Sequence, residues 1–324
     1  MKIGLIGAGH LGKIHLKCIG LIEELELVGF HDADTENAQR VEKEFGIKHF
    51  SSVDELIANV DIIDIVTPTI SHFTHALNAI EKGKHLFIEK PITHTLEEAE
   101  ILVQKAQEKN VKVQVGHVER FNPAFVSTKS SINNPVFIEA HRLAQFNPRG
   151  TDVPVVLDLM IHDIDTVLAI VNSEVKTISA VGVTIVSDTP DIANARIEFE
   201  NGCVANLTAS RMSMKNMRKT RIFQPNAYIS IDFLDKTAEV IELEPHDKDN
   251  PFALVLDIEG KEPLQISFKK QNVETNNAIR DELYSFYEAI KNNTTPIVDI
   301  LQGKKALELA LHIMEQMSLG KAVV

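Results

Sequence analysis

The sequence contains few cysteines, no long apolar run and no excess of basic residues. Only Cys18 and Cys203 occur among 324 residues. Two thiols so far apart exclude a disulfide framework and a cysteine-based zinc site, and they favour a reducing compartment. No apolar stretch approaches the roughly 20 residues that a membrane-spanning helix needs, and the chain opens with a strand pattern instead of a signal peptide. We therefore expect a cytoplasmic protein without a membrane partner.

The acidic balance of the chain argues against a nucleic-acid partner. The sequence has 33 Lys and Arg against 46 Asp and Glu, a net charge of −13. This charge leaves no general attraction for phosphate backbones, so an anionic ligand must meet a local basic cluster. At this length, with 44% hydrophobic residues, the chain can bury two cores. We place the first domain at residues 1–121 and the second at 122–324, with C-terminal helices within 277–317.

A glycine-rich turn follows the first apolar run and precedes a helical stretch. Gly7 permits a tight turn, Gly9 lets the backbone approach a pyrophosphate, and Gly12 lets the helix pack closely on the strand. His10 and Leu11 lie between these glycines, where the free amides of the helix N-terminus face the phosphates. The pattern predicts a dinucleotide-binding turn.

A carboxylate at the end of the second strand pattern favours NAD. Asp32 lies twenty-five positions after Gly7, near the spacing at which an acidic side chain meets the adenosine ribose hydroxyls. Ala33 and Asp34 follow, with no Arg or Lys to pair with a 2′-phosphate, so NAD is favoured over NADP. The alternative is a glycine turn with a structural role and an aspartate that caps the next helix.

Strand and helix patterns alternate through the first third of the chain. This alternation predicts a parallel, doubly wound sheet. The carboxyl ends of its strands should gather at one rim with Thr67-Pro68, Glu89-Lys90 and Gly116-His117. The predicted strands are 3–6, 26–31, 61–66, 85–89 and 111–116. The predicted helices are 13–20, 34–45, 71–82 and a helix that follows a capping box at Thr95 and reaches Lys109.

Lys90 is the first candidate for a catalytic group. It follows the apolar run 85–88 and Glu89, so its ammonium group lies at the end of a predicted buried strand on the ligand-binding rim. A lysine in this place can transfer a proton to or from a bound substrate.

Long β-type runs dominate the chain after residue 121. Together they predict a mostly antiparallel sheet, with Asn201-Gly202 as a hairpin turn. The runs lie at 136–146, 175–186, 193–200 and 203–211. Helical patterns lie at 158–171, 277–291 and 302–317.

The helix at 158–171 carries a second group of polar residues. Asp158, His162 and Asp165 fall at i, i+4 and i+7 and so share one face. A carboxylate one turn from an imidazole can orient it for proton transfer. Alternatively, the aspartate caps the helix and the histidine is a hydrogen-bonded core residue. A metal could use Asp158 with His162, or His72 with His75, but no third ligand is visible nearby, and we expect no metal.

In their order along the chain, these motifs resemble the glucose-fructose oxidoreductase, inositol dehydrogenase and MocA family. The resemblance covers essentially the whole chain. It implies an N-terminal Rossmann domain and a C-terminal α/β domain built on an open, mainly antiparallel sheet. It also implies oxidation or reduction of sugars and cyclitols with a nicotinamide cofactor. The motifs are the glycine turn at 7–12, Thr67-Pro68 with His72, Glu89-Lys90-Pro91, Asp158 with His162, and the helical pattern at 280–286.

The resemblance implies roles for individual residues. Lys90 and His162 would flank the reacting hydroxyl, either of them as the base, and Asp158 would orient the substrate or His162. Met160 departs from the glycine often found two residues after that aspartate, which leaves the particular substrate open. The residues expected to bind NAD are Gly7, Gly9, His10, Leu11, Gly12, Asp32, Thr67, Pro68, His72, Glu89 and Lys90.

Two stretches, 115–123 and 158–165, resemble a narrower group, the UDP-N-acetylglucosamine 3-dehydrogenases. We therefore expect substrate contacts from His117, Arg120 and Asn122.

A basic segment in the acidic chain is consistent with a nucleotide-sugar substrate. Five cations lie within eleven residues, and such a cluster can meet a pyrophosphate. We expect Arg218 and Arg221 to bind the substrate in this way. The alternative is a solvated loop or a subunit-contact surface. The five cations are Arg211, Lys215, Arg218, Lys219 and Arg221.

The predicted function is NAD-dependent oxidation of a secondary hydroxyl of a sugar, above all a nucleotide sugar such as UDP-N-acetylglucosamine at carbon 3. A free-sugar or myo-inositol-type dehydrogenase is the alternative within the family. Two other classes remain, a non-catalytic NAD-binding sensor and a metal-dependent hydrolase. The presence of Lys90 and His162 argues against the sensor. We also expect a homodimer or homotetramer formed through the C-terminal sheet.

Overall fold

The computed structural model describes residues 1–147, 153–250, 252–260 and 262–319. The chain divides into two units. The first combines Met1–Phe121 with Asn277–Glu308, and the second combines Asn122–Asn276 with the chain from Leu309 onward. No helix in the described ranges is long and apolar enough to cross a membrane.

A parallel sheet forms the centre of the first unit. Its strands are β1 (Lys2–Ile6), β2 (Glu26–His31), β3 (Ile62–Ile65), β4 (His85–Glu89) and β5 (Val113–Gly116). They lie in the order β2-β1-β3-β4-β5, and all neighbours are parallel. Most strand residues are buried, as expected of a parallel sheet covered on both faces. The predicted doubly wound sheet is confirmed.

The helix ends of the first unit follow from local capping. Asp34 accepts two backbone N–H groups of the next helix, and Gly46 ends that helix at φ 65°. Thr95 and Glu98 form the predicted capping box. The first helix begins at His10, three residues earlier than predicted, because the glycine turn leads directly into it. The helices are α1 (His10–Ile19), α2 (Thr35–Phe45), α3 (Val53–Ala58), α4 (His72–Glu81), α5 (Leu96–Lys109), α6 (Pro123–Thr128), α7 (Ile161–Ile170), α8 (Ala278–Lys291) and α9 (Ile300–Leu319).

Helix α8 packs on the first sheet although it follows the second unit in sequence. Leu283 and Phe286 join the core formed with β1 and α1. Gln114 Nε2 in β5 donates a hydrogen bond to the Glu282 carbonyl at 2.9 Å. The sequence predicts that residues 277–317 belong to the second domain, whereas Asn277–Glu308 belong to the first unit. The apolar spacing of a helix shows that one face is buried, but it does not show against which sheet.

A mainly antiparallel sheet forms the centre of the second unit, as predicted. Its strands are β6 (Phe137–Leu143), β7 (Val175–Val183), β8 (Ile192–Phe199), β9 (Val204–Ser210), β10 (Met217–Gln224), β11 (Ala227–Asp232), β12 (Thr237–Pro245), β13 (Leu254–Leu256) and β14 (Leu264–Lys270). They lie in the order β13-β14-β12-β11-β10-β6-β9-β8-β7. Among these, only β6 and β9 pair in parallel. Gly202 has φ 85° in the turn between β8 and β9, which confirms the predicted hairpin.

Asp158 and His162 do not lie on one regular α-helix. A π-helical turn, Val156–Met160, precedes α7. His162 and Asp165 lie on α7 as predicted, but Asp158 lies in the π turn, so it does not share their regular helical spacing. A π turn widens the helix locally, and such turns recur at functional sites.

A buried ion pair connects α7 to the sheet. Arg142 in β6 donates to Asp163 through two nitrogens, with Nε at 3.0 Å from Oδ2 and Nη2 at 2.9 Å from Oδ1. Both side chains are almost fully buried. Removal of one partner from such a pair costs about 3–5 kcal/mol, because the other charge stays buried without compensation. The pair therefore holds the helix that carries His162 on the sheet.

Candidate functional site

The glycine turn has a backbone that side chains would obstruct. Gly7 has φ +95°, and a Cβ there would lie 2.8 Å from the Thr67 amide nitrogen. A Cβ on Gly12 would lie 2.0 Å from the Gly7 carbonyl oxygen. These two glycines are required for the turn and for the close packing of α1 on β1.

Gly9 leaves open space at the N-terminus of α1. A Cβ built on Gly9 would meet no heavy atom within 4 Å. Gly9 is the N-cap of α1, and no side chain caps the first turn. His10 and Leu11 of this turn are exposed, Leu11 by 38%. Uncapped amides next to a surface without side chains suit a pyrophosphate, so the residues present fit a dinucleotide cofactor.

Asp32 ties the glycine turn to the end of β2. Its Oδ2 accepts a hydrogen bond from the Ala8 amide at 2.7 Å, and its Oδ1 accepts one from the Asp34 amide at 2.9 Å. Asn37, which the sequence did not single out, donates to Asp32 Oδ2 at 3.2 Å and to the Ala8 carbonyl at 3.0 Å. The cap of α2 is Asp34, not Asp32. The half-buried Asp32 carboxylate therefore lies beside the glycine turn, at the edge where a ribose is expected.

His72 connects two backbone segments of the strand-end rim. Its Nε2 lies 2.8 Å from the Thr67 carbonyl and its Nδ1 lies 2.9 Å from the Pro91 carbonyl. Ser71 Oγ donates to Thr67 Oγ1 at 2.8 Å. Burial lowers the pKa of His72, which is only 1% exposed. His72 thus supports the rim through two backbone carbonyls, and its contact with the cofactor stays a prediction.

Glu89 belongs to a charged cluster that sequence reasoning missed. His15 Nδ1 lies 2.9 Å from Asp64 Oδ2, and His15 Nε2 lies 3.2 Å from Glu89 Oε1. The side chains of His15 and Asp64 are fully buried. The available sequence signal was a titratable residue on the buried face of α1 and another inside the apolar strand β3. Neither position predicted that the two would meet.

Lys90 and His117 directly follow the carboxyl ends of β4 and β5 in the first sheet, as predicted. Lys90 is half-buried directly after β4, and His117 is buried directly after β5. Arg120 Nη2 donates to the Ile297 carbonyl at 3.4 Å. These residues belong to the first unit.

Asn122 has a structural role at the start of the second unit. Its side-chain oxygen accepts a hydrogen bond from the Ala124 amide at 3.1 Å and so caps α6, and its Nδ2 donates to the Phe233 carbonyl at 3.0 Å. The side chain is buried. Both ends of the amide are used in holding the backbone, so the structure explains Asn122 without a substrate contact.

Asp158 and His162 are accessible on the second unit. His162 is half-buried and the Asp158 side chain is 44% exposed. Arg211 Nη2 lies 3.9 Å from Asp158 Oδ2 and donates to the Val153 carbonyl. Met160, in the place of the expected glycine, is completely buried. Asp158 and Arg211 therefore lie together at the π turn, and His162 follows in the first turn of α7.

The basic segment does not form one cluster. Arg218 pairs in register with Arg142, whereas Arg221 pairs with Glu139. Because successive residues of a strand alternate between faces, Arg218 shares the face of the Arg142–Asp163 pair and Arg221 lies on the opposite face. Arg221 Nη1 is 3.5 Å from Glu139 Oε2 there. The expectation that Arg218 and Arg221 meet one diphosphate together is therefore wrong for a single chain.

No metal cluster is found in the described ranges. Within them, no three His, Cys, Asp or Glu side chains are grouped so that they could hold a metal ion.

Two family models cover most of the chain. A model for an oxidoreductase family with an NAD-binding Rossmann fold matches residues 1–117, and a model for the GFO/IDH/MocA C-terminal domain matches residues 130–229. The chain belongs to the GFO/IDH/MocA oxidoreductase family. Membership confirms the predicted fold class and the predicted cofactor, NAD.

Individual relatives and solved structures match between about two thirds and nearly all of the chain. A UDP-N-acetylglucosamine 3-dehydrogenase from Acidithiobacillus ferrooxidans is 37% identical over 97% of this chain and 96% of its own length. A solved structure of that enzyme has a TM-score of 0.89, with 98% of each chain covered. A scyllo-inositol 2-dehydrogenase (NAD(+)) from Bacillus subtilis is 30% identical over 66% of this chain and 68% of its own length. A levoglucosan dehydrogenase in complex with NADH and levoglucosan, 19% identical with a TM-score of 0.85 and coverage of 99% and 98%, shares the fold.

The charge of Asp32 should set the preference for NAD over NADP. Wild-type protein should use NAD much more efficiently, because the carboxylate repels a 2′-phosphate. Asp32→Asn keeps the shape of the side chain and removes the charge, so it should reduce the ratio of the two kcat/KM values by roughly tenfold. The exposed Asp34→Asn is the matched control and should leave the ratio nearly unchanged. Equal efficiency of wild-type protein with both cofactors would contradict the role of Asp32.

Gly9→Ala should weaken NADH binding without a loss of fold. The added methyl group meets no protein atom but occupies the space over the helix amides. Loss of one charge-assisted hydrogen bond to the cofactor corresponds to about tenfold or more in Kd. Gly20→Ala, at the other end of α1 with an ordinary helical φ of −62°, is the control and should bind NADH normally. NADH fluorescence titration measures the affinity of both variants. Equal affinities would contradict a pyrophosphate site at Gly9.

Proposed function

We propose that this enzyme oxidises a secondary hydroxyl of a nucleotide sugar with NAD, and that the substrate is a UDP-linked N-acetylglucosamine oxidised at carbon 3. The observation that supports this most is the 37% identity with a UDP-N-acetylglucosamine 3-dehydrogenase over almost the full length of both chains. Fold alone would not support a substrate, because one fold serves many substrates.

The acid–base groups in this proposal are Lys90 and His162. NAD, when bound, supplies the hydride acceptor. Lys90 at the end of β4 or His162 on α7 accepts the hydroxyl proton of the substrate. Asp158 orients the substrate or the His162 ring, and Arg211 supports Asp158 from 3.9 Å.

Arg218 is the proposed contact for the diphosphate of the substrate. It lies at the start of β10, beside the carboxyl ends of β6 and β9, on the face where α7 is anchored by Arg142. Arg211, just after β9, is at the same end of the sheet. Guanidinium groups suit phosphates because of their planar, paired N–H donors. His117 and Arg120 remain further candidates for substrate binding.

An inositol dehydrogenase is the second candidate function. It is favoured by the 30% identity with the scyllo-inositol 2-dehydrogenase over two thirds of this chain. A sensor that binds NAD without turnover remains the alternative from another class. A screen of NAD reduction against UDP-N-acetylglucosamine, free N-acetylglucosamine and inositols separates the three.

We further propose that the enzyme acts in the cytoplasm as a homodimer or homotetramer. Two buried free thiols, Cys18 and Cys203, agree with a reducing compartment. One face of the second sheet carries a cleft lined in part by Glu139, His141 and Arg196. A second copy of this chain is proposed to pack against this face. Light scattering of the purified protein tests the assembly.

Lys90→Met should reduce turnover about a hundredfold or more while NADH binding persists. The substitution keeps the approximate length of the side chain and removes the proton-transfer group. His162→Asn should act in the same direction. Lys84→Met, at the amino end of the same strand β4, is the control and should have nearly normal turnover. A Lys90→Met enzyme with near-normal kcat would exclude Lys90 as the base.

Arg218→Ala should raise the KM for UDP-N-acetylglucosamine and leave the affinity for NADH unchanged. The phosphates provide binding energy remote from the reacting hydroxyl, and this energy is lost with the guanidinium group. Arg221→Ala is the matched control, because it removes the same charge from the other face of the same strand. Equal effects of the two variants, or equal efficiency with the free sugar, would contradict a diphosphate site at Arg218.

A further inference from the structure

A histidine between two carboxylates lies inside the first unit. His15 comes from α1, Asp64 from β3 and Glu89 from the end of β4. The two ring nitrogens of His15 lie 2.9 Å from Asp64 Oδ2 and 3.2 Å from Glu89 Oε1. The side chains of His15 and Asp64 have no exposed surface, and that of Glu89 has little. Water therefore contributes little to the charge balance of this cluster.

With Asp64 and Glu89 both ionised, the positions of the two carboxylates favour a doubly protonated imidazole. A neutral imidazole has one N–H and one lone pair, so one nitrogen would point its lone pair at a carboxylate oxygen. A doubly protonated ring donates from Nδ1 to Asp64 and brings its positive charge within 3.2 Å of Glu89 Oε1 through Nε2. It also separates two buried carboxylates that would otherwise repel each other.

The electrostatics of the cluster agree with this protonation state. Burial opposes a charge on His15, but the hydrogen bonds and charges of Asp64 and Glu89 outweigh it and raise the pKa of His15 well above its ordinary value. Burial would raise the pKa of Glu89, but His15 and Lys90 hold it below its ordinary value. Burial raises the pKa of Asp64. The Glu89 charge also acts on His72, whose pKa it raises against the effect of burial, and the edge of the Phe87 ring packs against His15.

The Glu89 carboxylate contacts both His15 and the backbone of Lys90. While Oε1 faces His15, Oε2 accepts the backbone N–H of Lys90 at 3.2 Å. Gly116 in β5 leaves room for the carboxylate, because a Cβ there would lie 2.6 Å from Glu89 Oε1. The lysine charge lowers the pKa of Glu89, and by reciprocity the Glu89 carboxylate favours the ammonium form of Lys90.

We propose that His15 is a positively charged positioning residue, which holds the Glu89 carboxylate beside Lys90 and so sets the charge around this lysine. The inference rests on the proposed function only for the use of Lys90 in proton transfer. The protonation of His15 and its effect on Lys90 are properties of the folded protein, so they can be tested without a substrate.

The first experiment measures the protonation of His15 directly. Full-length protein labelled with ¹⁵N-histidine is titrated by NMR, and the His15 signal is assigned as the one lost in His15→Gln. Both ring nitrogens should show imidazolium shifts at pH 7.5, a full unit above the ordinary histidine value of about 6.5. Asp64→Asn, which has nearly the same shape, removes one of the two stabilising charges and should move the titration to lower pH. If His15→Gln does not fold, this shift provides the assignment.

The second experiment measures the effect on Lys90. Reductive ¹³C-methylation of lysines gives an NMR signal for each amine, and Lys90→Met assigns the one of interest. His15→Gln removes a nearby positive charge and should raise the titration midpoint of Lys90, whereas Glu89→Gln removes a negative charge and should lower it. Lys13→Gln removes the same charge as His15→Gln from the exposed side of α1, where Lys13 pairs with Glu44 at 2.8 Å, and should leave the midpoint unchanged.

The outcomes separate this inference from the proposed function. A neutral His15 at pH 7.5 overturns the proposal. Shifts of the Lys90 titration midpoint in the same direction in His15→Gln and Glu89→Gln also overturn it, because a general loosening of the fold would give that result. Opposite shifts support it even if UDP-N-acetylglucosamine is not oxidised. In that case the proposed substrate fails and the charged cluster remains.

Discussion

The backbone contact between Gly7 and Gly12 is the constraint on which the cofactor site depends. Only a residue without a Cβ allows this contact, since a Cβ on Gly12 would lie 2.0 Å from the Gly7 carbonyl oxygen. The contact places the open first turn of α1 directly after β1. Three residues later, the same helix inserts His15 between the ends of β3 and β4. One close approach therefore positions both the uncapped amides proposed to bind the phosphates and the buried charge behind the rim.

The proposed anion sites are local groups of positive charge in a chain whose net charge is −13. In the first unit the site is a helix N-terminus without a side-chain cap. In the second unit Arg211 and Arg218 lie at one end of the sheet, and Arg211 is 3.9 Å from Asp158. Both sites act over a few ångströms, the range in which nearby charges and dipoles outweigh a screened net charge.

Each unit contains a compensated buried charge next to a proposed acid–base residue. His15 is compensated by Asp64 and Glu89. Arg142 is compensated by Asp163, which immediately follows His162. A buried ion pair gives little net stability, but loss of one partner is costly, so such pairs hold side chains in defined places. In this enzyme one group holds Glu89, which precedes Lys90, and the other holds Asp163, which follows His162. Lys90 and His162 are the two proposed acid–base residues.

The sequence by itself determined the features whose causes are local. The glycine turn, the position of Asp32 after β2, the capping box at Thr95 and the hairpin at Gly202 each depend on a few consecutive residues, and the structure has them where the patterns indicated. Tertiary structure decided the rest. His15 and Asp64 are 49 residues apart and meet only because parallel pairing and helix packing bring their elements together. The sheet faces of Arg218 and Arg221 depend on the pairing register of β10. The sheet on which α8 packs depends on which apolar surface is available to it. Contacts of this kind are set by long-range packing, which no short window of sequence contains.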